Sequence, residues 1–222
     1  MSEPKCGISF KSSGRIVGGE PVEPHSIPWQ VRLGQTCPSC GGTLISRRHI
    51  LTAAHCETMI GTNVWVGQHS VEPNDGKPYK VCNVSDHPGW SWHDGNYDFS
   101  ILHLDQDVQL NEKVQIACLP TKEDGLDDEF LDGKNLTASG WGVTTHNGNC
   151  PNVLHFVVLP GYSNDRCEKE TIYGQKGHGD EIHWNDDRSK AVLCAGREGK
   201  DACNGDSGGT LICYFRYFLL TL

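Results

Sequence analysis

The sequence predicts an all-β fold, a sandwich or a barrel. Short apolar runs of strand length recur along the chain, split by Gly, Pro, Asn and Asp, and none extends into the period of about 3.6 that marks a helix. Eleven cysteines are dispersed between Cys6 and Cys213. That dispersion reads as an extracellular disulfide framework. A zinc ribbon would need a second CxxC beside Cys37-Pro38-Ser39-Cys40, and the chain has none. The odd count leaves at least one thiol over. A length of 222 residues suffices for one large β domain or two small ones.

In chain order, strands are expected over residues 29–33, 63–66 and 99–104. Residues 121–133 are acidic and turn-rich, and read either as a solvated linker between two β halves or as a surface loop. Further strands are expected over residues 153–159, 191–194 and 210–215, with a long Gly-, His- and Asp-rich exposed loop at 168–190. No solenoid-length repeat is present.

The charge excludes several classes. Nineteen basic against twenty-eight acidic residues give a net charge of −9, which repels phosphate backbones, so no nucleic-acid partner is expected. A charged fraction of 21% is too low for a disordered polyampholyte. No membrane partner is expected either, because the longest greasy stretch, residues 211–222, is short and broken by Arg216. Met1-Ser2-Glu3-Pro4-Lys5 lacks the apolar region of a signal peptide. The cysteines nevertheless favour secretion, with the leading segment absent from this sequence. Two sequons, Asn83-Val84-Ser85 and Asn135-Leu136-Thr137, are compatible with that compartment.

Gly205-Asp206-Ser207-Gly208-Gly209 holds a serine between glycines, which allow a tight turn and let backbone N–H groups face a substrate oxygen. An α/β-hydrolase elbow would need its acid and His after the serine. Residues 208–222 contain no His, Asp or Glu, so any base for Ser207 lies upstream. Leu51-Thr52-Ala53-Ala54-His55-Cys56 offers one, His55, which a Cys40–Cys56 bridge would pin; closing such a loop stabilises by about 3 kcal/mol. Asp98, at the mouth of the apolar strand that follows Tyr97, is the candidate to orient the imidazole. A core His, a strand-end Asp and a turn Ser are the non-catalytic readings of the same residues.

Residues 52–56 (TAAHC), the Asp98 segment and GDSGG at Gly205 occur in that order, together with Ile16-Val17-Gly18-Gly19, Trp141-Gly142 and Cys194-Ala195-Gly196. This set resembles the chymotrypsin/trypsin family of serine endopeptidases from about Cys6 to Cys213. The resemblance implies two antiparallel β barrels: an activation propeptide over residues 1–15 and a protease domain over 16–222, with the first barrel at about 16–120 and an incomplete second barrel at about 134–222. It implies a triad of Ser207, His55 and Asp98, and an oxyanion hole from the N–H groups of Gly205 and Ser207. Cleavage after Arg15 would free the Ile16 amine to pair with Asp206. Asp201, six residues before Ser207, would select Arg or Lys by charge-assisted hydrogen bonds. Bridges Cys6–Cys118 and Cys167–Cys194 are implied, no cofactor is, and no metal site is expected. Partners would be protein or peptide substrates, an activating protease and proteinaceous inhibitors.

The sequence also departs from that family. Leu136 stands where the family has the cysteine that Cys213 would bond, Cys203 lacks its usual partner, and the chain stops soon after Cys213. The expectation is therefore a family member truncated at the C-terminus. Its second barrel would be open, with unpaired strand-edge groups, unless the apolar tail stands in for the missing strand. The alternative function is a catalytically inactive binding or decoy module. Cys37, Cys82 and Cys150 have no family role, and their pairing cannot be deduced. His178, Asp180, Glu181 and His183 could hold a metal, but a solvated loop is the expected reading. The family's calcium loop would begin with a carboxylate after Gly67, and Gln68 stands there instead.

Overall fold

The computed structural model describes residues 5–9, 19–34, 37, 40–72, 75–93, 97–120, 131–144, 148–163, 165–166, 194–196, 206–213 and 218–221. Twelve strands and one short 3-10 helix run through them. Six strands close an antiparallel barrel: β2 Gln30–Leu33, β3 Gly41–Leu44, β4 His49–Thr52, β5 Asn63–Val66, β6 Lys77–Asp86 and β7 Ser100–Leu104. Around the barrel the order is β2-β3-β4-β7-β6-β5.

A second sheet lies beside the barrel. Its strands are β1 Glu20–Pro21, β8 Asn135–Gly140, β9 His155–Tyr162, β10 Cys194–Ala195, β11 Thr210–Cys213 and β12 Phe218–Thr221. The path is β1-β9-β8-β11-β12, with β10 also on β9, and among the described residues the sheet does not close. All-β architecture with an incomplete second barrel is thus what the chain forms. The β11 edge is covered, however. The tail strand β12 pairs antiparallel with it from Thr210↔Thr221 to Cys213↔Phe218. β1 joins the second sheet although it precedes the first barrel in the chain.

Alternation explains how the two layers meet. On β8 and β11 nearly every residue is buried, because both faces are covered. Leu136, Ala138, Leu211 and Cys213 pack into one apolar cluster with Leu131 and Leu159. Ile212 faces the other way, into the main core with Val31, Leu44, Ile50, Trp141 and Phe156. On that same face small polar residues bridge to the barrel. Ser139 Oγ donates to Gln30 Oε1 at 2.8 Å, and the Thr43 and Thr210 hydroxyls lie 2.6 Å apart. Among the described residues no helix is long and apolar enough to cross a membrane.

Candidate active site

His55 sits on the one-turn 3-10 helix Ala54–Cys56 that follows β4. The turn ends at Glu57, whose φ of 46° is left-handed and whose N–H donates to the Ala54 carbonyl at 3.0 Å. A Cys40–Cys56 disulfide, with Cα atoms 6.1 Å apart, ties this turn to the start of β3.

Asp98 reaches His55 from the approach to β7. The preceding residue, Tyr97, has φ of 55°, which is rare for an aromatic residue. Its ring stacks on His87 at 4.6 Å, which helps to hold the turned backbone. Asp98 then grips His55 twice. The His55 backbone N–H donates to Oδ1 at 2.8 Å, and Nδ1 lies 2.5 Å from Oδ2. An ionised carboxylate only accepts, so Nδ1 carries the proton and Nε2 is left as a lone-pair base.

The same contact sets the protonation behaviour. Its hydrogen bond to Asp98 raises the His55 pKa, burial opposes that, and the Asp98 charge adds to the rise. For Asp98, burial is the largest single influence and acts upward. The His55 side-chain and backbone hydrogen bonds, its charge and the Ala54 N–H together outweigh burial and hold the carboxyl below its usual range.

Ser207 lies in the turn entering β11, and that turn packs directly on the His55 segment. The Gly41 N–H donates to the Ser207 carbonyl at 2.8 Å, and Cys56 Sγ is 3.7 Å from the same oxygen. Gly208 has φ of +70°, and a Cβ there would lie 2.8 Å from both Ala53 N and the Gly41 carbonyl oxygen. Only glycine fits that approach. Thr52 Oγ1 donates to the same Gly41 carbonyl at 2.8 Å, closing the seam between the layers. No hydrogen bond joins Ser207 Oγ to His55 among the described contacts; in substrate-free sites such bonds are often long and tighten on binding.

Asp206 turns its carboxylate to Gly140 and Gly142. Gly142 N–H donates to its Oδ1 at 2.9 Å, and a Cβ on Gly142 would lie 2.5 Å from the carboxylate carbon. The segment from Gly140 to Gly142 therefore wraps the Asp206 carboxylate. Arg15, Ile16, Asp201 and Gly205 lie outside the described residues, as do His178, Asp180, Glu181 and His183.

Three disulfides are described: Cys6–Cys118, Cys40–Cys56 and Cys37–Cys150. The last pairing was not legible in the sequence, and it ties the segment after β2 to the segment before β9. Cys194 is also disulfide-bonded, and Cys167 and Cys203 lie outside the described residues. Cys82 and Cys213 carry free thiols, the first exposed and the second buried. Cys40, His55 and Cys56 cluster closely, but both sulfurs are consumed in a disulfide and cannot ligate a metal. After Gly67 the chain is closed by its own carboxylate, since Asp75 Oδ2 accepts the N–H groups of His69 and Ser70.

One neighbour of His55 was missed by the sequence reading. Trp92 is 65% exposed, with its ring edge-on to the imidazole at 6.5 Å and against Trp90 at 5.5 Å. The pair of tryptophans in Gly89-Trp90-Ser91-Trp92-His93 was the available signal.

A closed β barrel, a second β sheet and a buffered His–Asp pair beside a serine turn define a class of serine hydrolase. The trypsin family model matches residues 16–219, and the chain belongs to that family. The clotting factor G beta subunit of Tachypleus tridentatus is 35% identical over 96% of this chain and 70% of its own length. Trypsin 5G1 of Aedes aegypti is 35% identical over 92% of this chain and 73% of its own length. Among solved structures, neuropsin, a serine protease expressed in the limbic system of mouse brain, superposes with a TM-score of 0.72 at 29% identity, covering 92% of this chain and 84% of that one.

Proposed function

We propose that the chain is an extracellular serine endopeptidase that cleaves after Arg or Lys and is released from a zymogen by cleavage after Arg15. Ser207 Oγ attacks the scissile carbonyl while His55 Nε2 takes its proton and later returns it to the leaving amine. Asp98 fixes the imidazole tautomer and stabilises the imidazolium. The N–H groups of Gly205 and Ser207 receive the developing oxyanion; losing one such donor costs about 2.7–4 kcal/mol of transition-state stabilisation. Asp201 supplies the charge that selects a basic side chain. The new Ile16 ammonium pairs with Asp206 and forms the oxyanion loop. Its partners are protein substrates, an activating protease and proteinaceous inhibitors.

The observation that carries this reading is the two-point hold of Asp98 on His55, on a turn that packs against the Ser207 turn. A structural histidine does not need a base-ready Nε2. The test is hydrolysis of peptide amides ending in Arg, Lys, Phe or Ala after cleavage at Arg15. Cleavage of the Arg and Lys substrates is expected, lost in Asp201→Ala. Equal turnover of all four would overturn the specificity, and activity unchanged in Ser207→Ala would overturn the mechanism. A binding module without catalysis would cleave none of them.

A further inference from the structure

The first sequon lies on β6, and strand geometry decides what its asparagine faces. Along β6, Tyr79 and Val81 are buried, so a period of two would bury Asn83 as well. It is exposed instead. The register explains the difference: Val81 faces Leu104 and Asn83 faces His103, adjacent residues on β7, so Cys82 is one extra residue on β6. This bulge resets the phase of the strand and turns both Cys82 and Asn83 to solvent. Ser85, the hydroxyl residue of the sequon, is exposed too, and its Oγ lies 3.1 Å from His103 Nε2. Beside Asn83 stands the exposed free thiol of Cys82. A surface thiol in an oxidising compartment is prone to couple with another chain.

We propose that Asn83 is an N-glycosylation site whose glycan shields the Cys82 thiol. It rests on the extracellular placement given above and not on the catalytic roles. In the modification, Asn83 Nδ2 attacks the anomeric carbon of a lipid-diphosphate-linked oligosaccharide. The N–C bond forms, the anomeric C–O bond breaks, the lipid diphosphate leaves and one Nδ2 proton passes to a base of the transferase. The bulky, hydrated product stands over the bulge. The bulge thus presents the acceptor and the thiol to the same solvent region.

The test uses the full chain passed through a eukaryotic secretory pathway behind a cleavable leader. Intact mass before and after peptide N-glycosidase treatment, with Asn83→Gln alongside, counts the glycans. Wild type is expected to carry one more than Asn83→Gln. A polyethylene-glycol maleimide then probes Cys82, with Cys82→Ser giving the background from other thiols. Labelling at Cys82 is expected to be several-fold faster in Asn83→Gln and in enzyme-treated protein, and Asn83→Gln is expected to form reducible dimers. Equal glycan counts in wild type and Asn83→Gln would overturn the site. Equal labelling rates with the glycan present would overturn the shielding. Protein from its natural source separates the two premises: reduced cysteines would contradict the extracellular placement, whereas formed disulfides with a bare Asn83 would contradict this proposal alone.

Discussion

Asp98 holds His55 at two points, the backbone N–H on Oδ1 at 2.8 Å and Nδ1 near Oδ2 at 2.5 Å. One contact fixes where the imidazole stands, and the other fixes which nitrogen carries its proton. Asp98→Asn keeps the shape but places an amide where a second acceptor oxygen was. It can present a donor to Nδ1, which drives the proton to Nε2 and removes the base. The expected outcome is a fall in kcat of about 10⁴ in a chain that still folds. Steady-state kinetics on an Arg amide, beside a melting curve, checks it.

The pH profile follows from the same pair. His55 must be neutral to act as a base, and its pKa is raised above the ordinary 6.5. The acid limb of kcat/KM therefore lies above pH 6.5, and Asp98→Ala moves it down.

Both shifts stabilise the fold, and their pH dependences run in opposite directions. A raised His55 pKa stabilises the fold fully below the unfolded value of about 6.5 and fades as pH rises through the folded value. A lowered Asp98 pKa stabilises above about 3.8 and is lost as pH falls through its folded value. The melting temperature of wild type minus His55→Ala should be largest between those limits and shrink on the alkaline side. A difference that grows with pH would contradict the assignment.

Gly208 tests the seam between the layers. Alanine there meets a left-handed φ of +70° and backbone atoms at 2.8 Å. A left-handed non-glycine residue alone costs roughly 1–2 kcal/mol, and the contact adds to that. Gly208→Ala is expected to lower activity at least about tenfold through displacement of Ser207. Titration of active sites, compared with the melting temperature, separates displacement from unfolding.

Leu136 and Cys213 are directly opposed in the β8–β11 register, and both are buried. Neighbouring-strand partners lie about 4.5–5.5 Å apart at Cα, inside the range that a disulfide spans. Leu136→Cys should bond to Cys213 and stabilise by about 2–4 kcal/mol. Loss of one free thiol per chain relative to wild type, with a higher melting temperature, is the expected result.

The sequence made the site more legible than the sheets. His55 and Asp98 fell beside recognisable apolar runs, and the structure joins them. Strands such as β5 at Asn63–Val66 and β7 at Ser100–Leu104 stood out because their apolar residues alternate or cluster. β3, Gly-Gly-Thr-Leu, did not, since glycines carry little strand preference. β8, Asn-Leu-Thr-Ala-Ser-Gly, is buried on both faces yet rich in small polar residues, because one face docks on the barrel through hydrogen bonds. β6 lost its alternation at the Cys82 bulge. The Cys37–Cys150 bridge joins positions 113 residues apart, and nothing local marks such a pairing. Tyr97 was invisible for a related reason, since only tertiary stacking sustains its positive φ.

The most direct measurement is labelling with a fluorophosphonate, which bonds only to a serine served by a working base and oxyanion hole. After cleavage at Arg15, stoichiometric labelling at Ser207 is expected, lost in His55→Ala and rising with pH through the raised His55 pKa. A folded, cleaved chain that stays unlabelled, or that is labelled at another residue, would contradict it.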